Sequence, residues 1–124
     1  MGKILIAEDE PDIRELLKFT LQYAGHEVVA ARDGQEAVDM AMAEIPDLIL
    51  MDARMPRLSG YEACQRIKND PKLAHILVVF LSAKGQEAEI KTGLEAGAVE
   101  YLLKPFAPEE LVEHVGTLLR KAGK

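Results

Sequence analysis

The sequence LILM at residues 48–51 is a continuous apolar run that ends directly in Asp52. Residues 3–7, 76–81 and 101–103 form three further runs of this kind, and each also leads into a polar residue. Short apolar runs separated by amphipathic helical stretches are typical of buried parallel strands. The chain is therefore predicted to be an α/β protein with a doubly wound parallel sheet and helices on both faces.

A fifth predicted strand, at residues 27–31, completes five strand–helix units without a linker or an internal repeat. Parallel neighbours require right-handed crossovers, and the common arrangement of five such units has the strand order 2-1-3-4-5. The 124 residues suit one domain with its own hydrophobic core, so residues 1–124 are predicted to form a single domain.

Helix boundaries and buried faces follow from local signals. Two helix starts have capping-box spacing, Asp33 with Glu36 and Ser59 with Glu62. Helical spacing also predicts apolar stripes that face the core. These stripes include Leu16 in the first helix, Met42 in the second and Cys64 in the third.

Composition limits the classes of function. The net charge of −6 argues against direct nucleic-acid binding. No apolar stretch approaches the ~20 residues that span a membrane, and the first strand begins too early for a signal peptide. Cys64 is the single cysteine, so no intramolecular disulfide can form, and a cytoplasmic location is expected.

Polar side chains with complementary chemistry follow four of the predicted strands. Glu8 and Asp9 follow the first strand, Asp52 the third, Ser82 the fourth and Lys104 the fifth. Ligands of open α/β sheets bind outside the carboxyl ends of the strands, so these side chains are expected to converge. Oxygen ligands with open positions suit Mg²⁺, whereas a lysine and a hydroxyl can bind a phosphoryl group.

Each of these residues also has a structural interpretation. Acidic residues are common before helices, where they interact favourably with the helix dipole. A strand-end aspartate, serine or lysine can belong to a solvated turn. The same holds for three residues near these strand ends that are considered below. Tyr101 can be a half-buried strand aromatic, and Arg54 and Lys84 can be solvated loop charges.

Four motifs together resemble the receiver domain of two-component response regulators. They lie at residues 6–10, 47–56, 81–83 and 101–106, in the order and spacing of that family. The resemblance spans essentially the whole chain and implies the flavodoxin-like form of the predicted fold.

The resemblance implies a role for each site residue. Asp52 would take a phosphoryl group from a phosphohistidine, with Lys104 and Ser82 contacting that group. Asp9, Asp52 and the backbone carbonyl of Arg54 would bind Mg²⁺, with Mn²⁺ as a substitute. Glu8 would act on the metal through water, at a position where the family more often has Asp.

A switch and a lifetime control are also implied. After phosphorylation, Ser82 would move toward Asp52 and Tyr101 would turn inward behind it. This would alter an output face formed by residues 87–95, Tyr101 and the last helix. Arg54 and Lys84, two residues after Asp52 and Ser82, would set the lifetime of the acyl phosphate.

The implied partners are a sensor histidine kinase or a phosphotransfer protein and a downstream effector, without nucleic-acid or membrane contact. A monomer or a weak, phosphorylation-linked dimer is expected. Glu100 and Glu110 fit the ionic dimer pattern of family members that control transcription, but Ile90 and His114 stand where basic residues are expected. The chain would not be an enzyme beyond catalysing its own phosphorylation and autodephosphorylation.

Three alternatives remain at this point. A Mg²⁺-dependent phosphatase with an aspartate nucleophile would want a second acid two residues after Asp52, where the chain has Arg54. A flavin- or nucleotide-binding module would need glycines or hydroxyls after the first strand, where residues 8–10 are acidic. A degenerate receiver would serve only as a docking module.

Overall fold

The computed structural model describes residues 2–83, 87–104 and 107–124, and the side chains of these residues except 82–83, 87–90 and 103–104. Five strands alternate with five helices along the chain. The strands are β1 (Lys3–Ala7), β2 (Glu27–Ala31), β3 (Leu48–Asp52), β4 (Leu77–Ala83) and β5 (Glu100–Lys104). The helices are α1 (Pro11–Tyr23), α2 (Gly34–Glu44), α3 (Gly60–Asn69), α4 (Glu87–Glu95) and α5 (Pro108–Lys121).

The strands form one parallel sheet in the order β2-β1-β3-β4-β5, as predicted. The central strand β3 pairs with β1 on one side and with β4 on the other. In this register Ala7 lies beside Met51, and Asp52 lies beside Leu81. The carboxyl ends of β1, β3 and β4 therefore meet at one edge of the sheet.

Alternating strand residues build a separate hydrophobic core on each face of the sheet, because successive side chains of a strand point to opposite faces. One core joins Leu5, Ile49 and Val78 to the buried faces of α2 and α3. The other joins Ile4, Leu50 and Val79 to α1 and α5 and includes Leu17, Leu21, Leu111 and Val115. The strands are thus buried on both sides, which explains their continuous apolar sequences.

Two residues of the predicted buried stripes lie instead at the surface. Leu16 in α1 is 54% exposed, and Met42 in α2 is 56% exposed. In α1 the fully buried residues are Leu17 and Leu21, four residues apart, so the helix buries a narrower stripe than predicted. In α2 the fully buried side chains are likewise only those of Ala37 and Ala41, four residues apart. The prediction that Leu16 and Met42 face inward was therefore wrong.

The first residue of each predicted capping box caps its helix, α2 or α3. Asp33 Oδ1 accepts a hydrogen bond from the Glu36 N–H at 2.8 Å, and Ser59 Oγ accepts one from the Glu62 N–H at 3.2 Å. In a complete capping box the Glu36 carboxylate would accept from the N–H of the capping residue, Asp33. Here it accepts from the N–H of Arg32, one residue earlier. No helix among the described residues is long and apolar enough to cross a membrane.

Cys64 is expected to resist thiol reagents in the folded protein. Its side chain is fully buried in α3, and burial raises the pKa of the thiol to about 11, so the reactive thiolate is scarce at pH 8. Labelling with iodoacetamide at pH 8 should be at least about tenfold slower in native protein than in urea-unfolded protein. Equal rates in the two states would contradict this burial.

Candidate metal centre

The acidic residues lie together because they follow neighbouring strands. Glu8 and Asp9 come directly after β1, and Asp52 is the last residue of β3. One carboxylate oxygen from each of these three residues lies within 4.8 Å of the other two. The structure therefore brings together the three carboxylates that the sequence predicted to converge.

Backbone N–H groups hold two of these carboxylates in place. Glu8 is 1% exposed, and its Oε2 accepts from the Glu10 N–H at 3.3 Å. Asp52 is 9% exposed, and its Oδ1 accepts from the Arg54 N–H at 3.2 Å. Asp9 is exposed to solvent. The cluster thus has two fixed, buried members and one member that is open to solvent.

The backbone at the start of α1 is also fixed. The Glu8 N–H donates to the Ala31 carbonyl at 3.1 Å, which ties this segment to the end of β2. The Arg14 guanidinium donates to the Glu8 carbonyl at 2.9 Å. These bonds hold the backbone beside the cluster before any ligand binds.

The donor set fits a hard divalent cation. The three side chains that the structure describes there offer carboxylate oxygens, which Mg²⁺ prefers and which Zn²⁺ sites use less than sulfur or imidazole. Negative charges at this separation repel one another, and a divalent cation between them would replace repulsion by attraction. An exposed member leaves room for water, which Mg²⁺ usually keeps in protein sites.

The other predicted site residues are described only in part. The backbones of Ser82 and Lys104 lie at the carboxyl ends of the adjacent strands β4 and β5, but their side chains lie outside the described residues. Lys84 lies entirely outside them. Tyr101 lies beside Phe80 in the sheet register, and its half-buried side chain packs against the core. The Arg54 side chain is exposed.

Two surface features were missed by sequence reasoning. Arg57 contacts Asp33 across the gap between two loops, with Nη1 3.3 Å from Oδ2. A groove of about 640 Å³ lies between α1 and α5, and its lining includes the exposed side chains of Phe19 and Tyr23. The capping-box spacing at Asp33 predicted its contact with α2 but not its contact with Arg57. Both aromatic residues fall outside the predicted stripe of α1.

Comparisons with known proteins agree with this architecture. The family described as "Response regulator receiver domain" matches residues 4–116. The phosphate regulon transcriptional regulatory protein PhoB of Pseudomonas aeruginosa is 42% identical over 124 residues, covering 99% of this chain and 54% of PhoB. The probable transcriptional regulator ycf27 of Guillardia theta is 41% identical over 122 residues, covering 98% of this chain and 47% of ycf27. The chain spans about half the length of these curated relatives.

Solved structures are similar over nearly the whole fold. A putative response regulator from Chloroflexus aurantiacus superposes with a TM-score of 0.92 at 35% identity, covering 96% of this chain and 98% of that one. The chemotaxis response regulator CheY4 of Vibrio cholerae gives a TM-score of 0.90 at 32% identity, covering 96% and 99% of the two chains.

Proposed function

The chain belongs to the response regulator receiver domain family of two-component systems, and from this premise we propose that Asp52 accepts a phosphoryl group from a phosphohistidine of a partner protein. The observation that carries the proposal is the cluster of Glu8, Asp9 and Asp52 oxygens within 4.8 Å of one another. Receiver domains are generally regulators, and the relatives named above are transcriptional regulators. For this chain we propose catalysis only of its own phosphorylation and autodephosphorylation.

The Asp52 carboxylate is the nucleophile in this proposal. One of its oxygens forms a bond to phosphorus as the bond from phosphorus to the donor's imidazole nitrogen breaks, and the imidazole leaves as neutral histidine after gaining a proton. The Arg54 N–H donates to Oδ1 of Asp52 and so restricts rotation of the carboxylate. Positioning of this kind and neutralisation of charge together supply most of what phosphoryl transfer requires from a protein.

Asp9 and Asp52 are the proposed direct ligands of Mg²⁺, together with the backbone carbonyl of Arg54. Glu8 would act through water, which its longer side chain suits, and Mn²⁺ would serve as a substitute. When bound, the cation supplies positive charge that draws phosphoryl oxygens toward the carboxylates. Lys104 would bind a phosphoryl oxygen as a compact cation.

The proposed output switch depends on Ser82 and Tyr101. The Ser82 hydroxyl would donate to the phosphoryl group, and Tyr101 would turn inward behind it. Tyr101 is half-buried and already packs partly against the core. Phosphorylation shifts the population only if the effector binds the two states differently. The proposed effector surface consists of residues 87–95, Tyr101 and α5.

The partners and the state of association are also part of the proposal. A sensor histidine kinase or a phosphotransfer protein would supply the phosphoryl group, in the cytoplasm. Association would be absent or weak, because Glu100 already pairs within the chain: its Oε2 lies 2.7 Å from Nε2 of His114. A dimer contact through Glu100 would first have to break this pair.

The test is incubation with acetyl phosphate, a small phosphoryl donor, followed by intact mass measurement. With Mg²⁺ present, the protein should gain the mass of one phosphoryl group, whereas excess EDTA should prevent the gain. A parallel incubation with a phosphate monoester should release no phosphate beyond one equivalent. Absence of a mass gain would refute the proposal, and sustained ester hydrolysis would favour the phosphatase alternative.

Arg54 and Lys84 are expected to control how long the acyl phosphate survives, because they lie two residues after Asp52 and Ser82 and would flank the path of water to phosphorus. An Arg54→Ala/Lys84→Ala double variant should change the dephosphorylation rate by about threefold or more. A threefold change corresponds to the free energy of one exposed ion pair. The rate is measured as loss of the phosphorylated mass after the donor is removed. Equal rates in wild type and variant would refute the proposed role.

A further inference from the structure

The segment between β3 and α3, residues 53–59, lies next to the acidic cluster. It starts directly after Asp52, and its Arg54 N–H donates to the Asp52 carboxylate. The Ala53 N–H donates to the Leu81 carbonyl at 3.4 Å, and the Gly60 N–H donates to the Ala53 carbonyl at 3.0 Å. The conformation of this segment therefore sets the position of the Arg54 backbone relative to Asp52.

The far side of the segment rests on the start of α2. A β-carbon on Gly34 would lie 1.8 Å from the Leu58 carbonyl oxygen, so the two backbones are in direct contact. Leu58 itself is buried in the core. Beside this contact, Nη1 of Arg57 lies 3.3 Å from Oδ2 of Asp33. On this side, the contacts among the described residues include the backbone contact with α2, the burial of Leu58 and the Asp33–Arg57 ion pair.

Asp33 links the start of α2 to residues 53–59 through its two carboxylate oxygens. Oδ1 caps α2 by accepting from the Glu36 N–H at 2.8 Å, whereas Oδ2 contacts Arg57. Asp33 is 8% exposed, although it belongs to a connecting segment. A carboxylate that is fixed by a helix N-terminus offers a rigid anchor for the guanidinium.

Arg57 adopts a backbone conformation that needs support. Its φ of 68° lies in the left-handed region, which is unfavourable for a residue with a β-carbon. Such conformations persist only where surrounding contacts hold them, and they cluster at functional sites. Here the Asp33 carboxylate contacts the Arg57 side chain, and the next residue along the chain, Leu58, is buried in the core.

We propose that Asp33 and Arg57 are positioning residues for the metal and phosphoryl site. Their ion pair holds residues 53–59 so that the backbone N–H and carbonyl of Arg54 stay beside Asp52. This inference rests on the proposed function, because it assumes that a divalent cation binds at the acidic cluster. Neither residue contacts the phosphoryl group in this proposal.

Two physical effects of Arg57 on cation binding have opposite signs. As a positive charge near the cluster, Arg57 repels Mg²⁺, so its removal would tighten binding through electrostatics alone. As a positioning residue, it orders a segment that supplies a ligand, so its removal would weaken binding. The sign of the change in Mg²⁺ affinity therefore separates the two effects.

The experiment measures Mg²⁺ dissociation constants by calorimetry, with thermal unfolding as a check on folding. Asp33→Ser keeps a residue that caps helices but is too short to reach Arg57. Arg57→Ala removes the other partner. Arg32→Ala is the matched control: it removes an equal charge nearby, from a side chain that pairs with Glu36 within the same helix start.

We expect Arg57→Ala to weaken Mg²⁺ binding about threefold, in line with a partly exposed ion pair. Asp33→Ser should weaken it at least as much, because it breaks the same ion pair and also removes a negative charge that attracts the cation. The double variant should lose no more than Asp33→Ser alone, because both substitutions remove one interaction. Arg32→Ala should leave the affinity unchanged or slightly tighter. The amides of Arg54, Met55, Leu58 and residue 57 should also exchange hydrogen faster in metal-free Arg57→Ala than in wild type.

Unchanged or tighter Mg²⁺ binding by Arg57→Ala would overturn the positioning role, and so would losses that multiply in the double variant. The proposed function fails in a different way. If wild type binds no Mg²⁺ and gains no phosphoryl group, both proposals are overturned together. If wild type does both while the variants match it, only the positioning role is wrong.

Discussion

Asp52→Asn is expected to abolish phosphoryl uptake from acetyl phosphate. An amide oxygen cannot form the acyl phosphate, so the mass gain of wild type should disappear completely. The fold should persist, because the amide oxygen can still accept the hydrogen bond that the Arg54 N–H donates to Asp52 at 3.2 Å. Circular dichroism and thermal unfolding should therefore match wild type closely while intact mass shows no phosphorylated species.

Asp47→Asn is the matched control for this variant. Asp47 precedes β3, whereas Asp52 ends it, so the two carboxylates lie at opposite ends of one strand. Asp47 has a structural contact, since its Oδ2 accepts from the Lys3 N–H at 2.9 Å, and an amide oxygen can keep that bond. Asp47→Asn should gain one phosphoryl group as wild type does. Full uptake by Asp52→Asn would show that another residue is the acceptor.

Gly34→Ala is expected to destabilise the fold by about 3 kcal/mol or more. The added β-carbon would lie 1.8 Å from the Leu58 carbonyl oxygen and 2.6 Å from its carbon, so the backbone of residues 53–59 or of α2 must move. No side-chain rotation can relieve an overlap with backbone atoms. Urea unfolding followed by circular dichroism measures the loss in the free energy of unfolding.

Gly116→Ala makes the same substitution where space allows it. Gly116 lies inside α5, and its nearest neighbour for a β-carbon is the flexible end of Arg120, at 3.2 Å. Alanine has the higher helix propensity, so this variant should be more stable than wild type by about 0.5–1 kcal/mol. If Gly34→Ala were as stable as wild type under the same conditions, α2 and the 53–59 segment could not be as close as described.

The sheet was predictable because most of its strands are short, nearly continuous apolar runs. The apolar run at residues 48–51 is continuous because β3 is buried on both faces, and the helix between each pair of strands requires a parallel sheet. The convergence of Glu8, Asp9 and Asp52 followed from this topology alone, since strand ends meet at one edge. The resemblance to receiver domains, stated from four motifs, is confirmed by the family match over residues 4–116.

The features that sequence reasoning missed depend on contacts between distant parts of the chain. Helical spacing identified the buried side of α1 but not its width, so Leu16 was assigned to the core. The width is set by how closely neighbouring elements approach a helix, which a periodic pattern does not encode. The Asp33–Arg57 pair joins residues 24 positions apart. It also occurs with a left-handed backbone conformation at Arg57, which the residue type arginine does not predict.

The most direct test is to locate the phosphoryl group itself. Protein treated with acetyl phosphate and Mg²⁺ is reduced with borohydride, which converts a phosphorylated aspartate to homoserine, and is then mapped by peptide mass spectrometry. We predict homoserine at position 52 alone, and none when Mg²⁺ is removed by EDTA. Modification at a different residue, or at Asp52 without a divalent cation, would contradict a metal-assisted phosphoryl site built around Asp52.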